Sequence, residues 1–119
     1  MAIRLAGEIA SNATRRMGHQ FIMGQERLNG ASAENLLSQY KWARAHVEGT
    51  VLAEKETLGS VLELGADKAR VGDYVDEMQG VIDEIGDAHL AALESHMEAA
   101  ASRLGVEPVQ PRMTALERR

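Results

Sequence analysis

Along most of this chain apolar residues recur every three or four positions, and nowhere do they alternate with polar ones at useful length. The spacing predicts helices and no strands. Residues 71–100 show the sharpest division. On a helix at about 100° per residue, Asp73, Asp76, Glu77, Asp83, Glu84, Asp87, Glu94 and Glu98 fall inside an arc of roughly 120°. Val71, Val75, Met78, Ile82, Ile85, Leu93 and Met97 occupy the opposite arc, with His89 and His96 near its middle. Upstream, Ile3, Ala6, Ile9, Ala10, Ala13, Met17, Phe21 and Leu28 line one side of a helix over about 2–28, with Arg4, Glu8, Arg15 and His19 on the other.

Between these lies a third periodic stretch, about 33–64. Its apolar arc holds Leu36, Leu37, Tyr40, Ala43, Val47, Val51, Leu58, Val61 and Leu62. Glu54 intrudes into that arc, and Trp42 and Leu52 point elsewhere, which suggests a second contact surface. Asn29-Gly30 reads as the stop of the first helix, with Gly30 suited to a left-handed cap. Ser32 is the expected N-cap of the second, with Glu34 in its first turn. Gly65 and Gly72 bracket a polar stretch read as a turn, with a continuous helix as the alternative. Asp73 would then cap the third helix over about 73–104, ended by Gly105. The only prolines, Pro108 and Pro111, lie in a tail over 106–119, where Thr114 to Glu117 matches a capping box. A hairpin turning about residues 68–69 pairs positions of the second and third helices whose numbers sum to about 137.

Composition adds bounds. A chain of 119 residues is one domain, read as a helical unit over 1–105 plus the tail, and can bury a core without staples. It has no cysteine, which excludes disulfides, thiolate metal sites and thiol nucleophiles. No apolar run approaches the ~18 residues of a membrane span. Glu8 interrupts the N-terminal apolar positions, so no secretion signal is expected and the location expected is the cytoplasm or the inside of a macromolecular particle. Eighteen alanines against one Phe and one Trp favour close helix packing with little burial per residue, a composition that gains from packing against further copies.

Charge is unevenly placed. The net charge of −5 divides into +2 over 1–30, −1 over 31–70, −8 over 71–100 and +2 over 101–119. An acidic helix disfavours nucleic acid, whose phosphates need cations. The stretch Tyr40 to His46 mixes aromatics with bases, but helical spacing scatters them around the axis. The acidic face has two readings: a solvated face, or a docking surface for a basic partner. The complete lack of Lys and Arg over 30 residues favours weighing the second, because solvent faces usually interleave both signs.

Enzyme and metal chemistry find little support. No nucleophile elbow, phosphate-cradling loop or dinucleotide fingerprint is present. Glu54 in its apolar stripe is a candidate general base, but the plainer reading pairs it with a Lys or Arg of a neighbouring helix. His89 and His96 are the only metal-ligand candidates, and neither has an acid at i±3 or i±4. They read first as hydrogen-bonded interface histidines, then as ligands across helices or subunits, or as a pH switch.

These observations give an all-α expectation of three amphipathic helices, a long antiparallel hairpin preceded by an N-terminal helix and followed by a tail. The expected role is a non-enzymatic assembly or adaptor protein without a cofactor. It would be a homo-oligomer, or bind a protein partner with a basic surface, as a small structural subunit of a bacterial or viral particle would. A histidine-ligated metal-binding bundle and a peripheral-membrane role for the N-terminal helix are the alternatives.

Overall fold

The computed structural model describes residues 2–64 and 68–107. It is all-helical over these residues: α1 spans Ala2–Asn29, α2 spans Leu36–Ser60 and α3 spans Lys68–Leu104. A 3-10 turn, Val61–Glu63, tightens the end of α2, with the Leu64 amide donating to the Val61 carbonyl at 3.0 Å. At about 1.5 Å per residue, the 37 residues of α3 span roughly 55 Å, which accounts for the molecule's longest extent of 57 Å.

The three helices pack against one another pairwise in an up-down-up bundle. The expected pairing of α2 with α3 is present: Lys55 bonds Asp83, and Val51 lies against Gly86. α1 runs antiparallel to α2, as Arg16 with Glu54 and Arg27 with Gln39 show. It therefore runs parallel to α3, where Gly7 faces Tyr74, Met17 faces Gly86 and Phe21 faces His89.

The apolar arcs meet inside, in two clusters. One gathers Leu28, Leu36, Tyr40, Ala43, Val47, Leu93 and Met97 around the ends of α1 and α3. The other gathers Ala6, Ala13, Met17, Leu58, Val61, Val75 and Ile82 near the opposite end. Full burial of each Leu, Ile or Val contributes about 1.5–3 kcal/mol. Two glycines let the helices approach: a Cβ on Gly24 would sit 2.8 Å from the Ala43 Cβ, and one on Gly86 would sit 2.5 Å from a Val51 methyl. The stripe of α1 is thus used within the bundle, with Ala6, Ala13, Met17, Gly24 and Leu28 buried.

Helix ends depart from expectation in three places. α3 begins at Lys68, so Gly72 is helical rather than part of a turn and Asp73 is no cap. Burial of Val71 and Val75 in the second cluster holds that extra turn in the helix. Gly30 does not take positive φ, and α1 ends instead on right-handed bonds, Gly30 amide to Glu26 carbonyl at 3.0 Å and Ala31 amide to Leu28 carbonyl at 3.3 Å. The first residue of α2 is Leu36 rather than a position near 33, yet Ser32 does form a reciprocal box with Asn35. The Ser32 amide donates to Asn35 Oδ1 at 2.8 Å, and the Asn35 amide to Ser32 Oγ at 3.3 Å. The stop of α3 is as expected: Gly105 has φ 70°, its amide donates to the Ser102 carbonyl, and the Val106 amide to that of Ala101. The capping box at Thr114 lies outside the described residues.

Candidate functional site

The acidic arc of α3 faces outward because the opposite arc fills the core. Asp73, Asp76, Glu77, Glu84, Asp87 and Glu98 are exposed. Asp83 and Glu94 are half-buried on the flank toward α2. Lys55 of α2 donates to Asp83 Oδ2 at 2.9 Å and to no other member of the face. Glu94 lines a small cleft with Tyr40, Arg44 and Asp87. Burial raises the Tyr40 phenol above its ordinary pKa, with a further contribution from Glu94 and an opposing one from Arg44. Arg44 in turn pairs with Glu48 at 2.8 Å.

The two histidines turn toward α1. The Phe21 ring lies 4.7 Å from that of His89 and 6.2 Å from that of His96. Nδ1 of His89 is buried with no hydrogen-bond partner among the described residues, so the expected bonded imidazole is not found there. Burial holds the His89 pKa below its ordinary value, because the charged ring would lose hydration. Among the described residues no three His, Asp or Glu side chains are grouped to hold a metal ion. No described helix is long and apolar enough to cross a membrane.

Glu54 is buried, at 7 % exposure, and accepts two hydrogen bonds from Arg16 of α1: from Nε at 2.5 Å and from Nη2 at 2.6 Å. This is the fork-to-carboxylate geometry that arginine supplies best. The bond to Glu54 raises the Arg16 pKa above its ordinary value. The plain reading of Glu54, a partner on a neighbouring helix, is the one realised, through two of the guanidinium's three nitrogens.

Above that pair, on the side of the bundle away from α3, α1 and α2 enclose an open groove of about 650 Å³. Arg15, Arg16, His19 and Gln20 line it from α1, and Ala45, His46, Gly49, Thr50, Ala53 and Glu54 from α2. Beyond its end, Arg27 lies 3.6 Å over the Trp42 ring, and Trp42 stacks on His46 at 3.7 Å. The His46 Nδ1–H donates to the Trp42 carbonyl at 2.8 Å, which leaves Nε2 as the ring's remaining polar atom. Trp42 is thereby a half-buried wall of the α1–α2 face, while Tyr40 is buried in the core, so the aromatics do not form a stacking platform. This groove was not legible in the sequence, because its two walls are 30 residues apart; Glu54 amid apolar neighbours was a local sign only that some neighbouring helix would place a cation there.

No family model, curated protein or solved structure matches this chain.

Proposed function

We propose that this chain is a non-enzymatic helical assembly or adaptor subunit that docks, through the outer face of α3, on a basic protein surface and self-associates. The observation that carries the reading is the exposure of six acids along one face of α3 over residues 71–100, a stretch that has no Lys or Arg. Like charges at i,i+4, such as Asp73 with Glu77 and Asp83 with Asp87, each cost an isolated helix a few tenths of a kcal/mol. A basic partner relieves that repulsion and gains from it in rate and specificity. A subunit of a bacterial or viral particle is the setting such a docking face suits.

Sedimentation velocity tests the reading. The expected result is association, with itself or with a co-purifying protein, that weakens between about 20 mM and about 500 mM salt as exposed charges are screened. It is lost in the triple variant Asp76→Lys, Glu84→Lys, Asp87→Lys. Association indifferent to that variant, or a chain that stays monomeric and recovers no partner, overturns it.

A further inference from the structure

The groove between α1 and α2 and the acidic face of α3 are on opposite sides of the same bundle, and they match. The groove floor is made of Ala45, Gly49 and Ala53, one residue per turn of α2. A Cβ built on Gly49 meets nothing within 4 Å, so the floor is open above it. Arg15 places a guanidinium on the rim, with His19 one turn along α1 and His46 facing them from α2. Its carboxylate, Glu54, is neutralised by Arg16.

On the other side, α3 presents Asp76, Asp83 with Glu84, and Asp87, close to one acid per turn. Between them are Gly80, whose Cβ would also meet nothing within 4 Å, and Val81, an apolar side chain 39 % exposed. Ala45 to Ala53 covers about 12 Å along α2, and Asp76 to Asp87 covers about 16 Å along α3. A small-residue floor accepts a helix at short axial distance, and the acids of that helix then fall beside the rim.

We infer that the α1–α2 groove of one copy receives the outer face of α3 from a second copy. This rests on α3 being a docking face and names its partner surface. The two surfaces are different and opposed, so the contact is head-to-tail: each bound copy offers a fresh groove or a fresh α3, and association continues beyond the dimer. Two to three helical turns make a contact at the small end of specific interfaces, under about 1,200 Å² in total. The association is therefore read at about 0.1–1 mM protein.

The decisive variant is Gly49→Leu. It fills the groove floor without meeting the chain's own atoms at Cβ, and it replaces a helical glycine with a better helix former, so a loss of association is not a loss of folding. The second variant is the charge-reversed α3, Asp76→Lys, Glu84→Lys, Asp87→Lys. By sedimentation velocity at low salt, wild type grows beyond the dimer with concentration. Each variant alone shows an association constant at least about tenfold weaker. Mixed one to one, the variants form a dimer that grows no further, because one intact groove meets one intact α3. Gly49→Leu associating like wild type while the α3 variant does not overturns the groove and leaves the docking face standing. Wild-type association unaffected by the α3 variant overturns both. A wild type that is monomeric throughout the range, or a mixture that forms no dimer, overturns the head-to-tail contact.

Discussion

Arg16 and Glu54 form a pair whose two halves have very different surroundings. The Glu54 side chain is 9 % exposed, whereas that of Arg16 is 53 % exposed. Their removal should therefore be asymmetric. Arg16→Leu strands a carboxylate among Val47, Val51 and Leu58 of its own stripe. Breaking a fully buried pair in this way costs about 3–5 kcal/mol. Water can reach the space left by the half-exposed guanidinium, so the expected cost is nearer about 2 kcal/mol. Glu54→Leu leaves Arg16 free to turn into water and adds apolar burial of about 1 kcal/mol, which offsets much of the lost hydrogen bonding. Its expected effect is within about 0.5 kcal/mol of zero, and the double variant should match it rather than the sum. At about 4 °C per kcal/mol for a chain of this size, Arg16→Leu lowers Tm by roughly 8 °C and Glu54→Leu by about 2 °C or less. Thermal and urea unfolding of the four proteins in one cycle measure both terms. Equal costs for the two single variants, or a larger cost for Glu54→Leu, would refute the reasoning from exposure.

Three further outcomes follow from particular contacts. Gly24→Ala should destabilise by about 1 kcal/mol or more, since the clash with Ala43 outweighs the gain in helix propensity, whereas Gly18→Ala, with open space at its Cβ, should stabilise by about 0.5–1 kcal/mol; urea midpoints compare them. Gly105→Ala places a Cβ at φ 70° and should cost about 1 kcal/mol, seen as a lower Tm. Because the folded His89 pKa is depressed, the unfolded chain takes up the proton first; the stabilising contribution is complete above about pH 6.5 and is lost as pH falls toward the folded value. His89→Phe should remove that part of the pH dependence between about pH 7.5 and 5.5, and an unchanged slope would count against it.

Much of the fold could be read from the chain, for reasons that mark where reading stops. The faces of α3 were legible because charge and apolarity repeat with the helical period over thirty residues. The α2–α3 register was legible because a hairpin fixes it once its turn is placed: Lys55 with Asp83 and Val51 with Gly86 lie near the expected sum. Local signals misled at helix ends. Asp73 after Gly72 has the composition of a cap, but tertiary burial of Val71 and Val75 carried the helix back to Lys68. Gly30 has the composition of a left-handed stop, and the chain did not need one, because the Ser32–Asn35 box organises the next turn. The angle at which α1 joins the hairpin has no local code. With it went the Arg16–Glu54 pairing, the ring contacts of both histidines with Phe21, and the groove.

The polar residues inside the bundle are gathered at one level rather than scattered. Glu54 follows Val51 and precedes Leu58 along α2, and Gly86 precedes His89 along α3, so both belong to the stretch where one apolar cluster gives way to the other. At that level the core has a glycine against which Val51 and Met17 close in, a carboxylate tied to α1, and an imidazole nitrogen without a partner among the described residues. The Arg16–Glu54 fork ties α1 to α2 at that level, beside the packing of Met17 and Val51 against Gly86. The groove opens at the same level, over Ala45, Gly49 and Ala53. Its floor is left open because the exposed α2 residues there carry no side chain larger than a methyl. A helix seated in the groove would touch α1 and α2 together, and its binding should therefore raise the stability of α1 against α2 as well as join two copies.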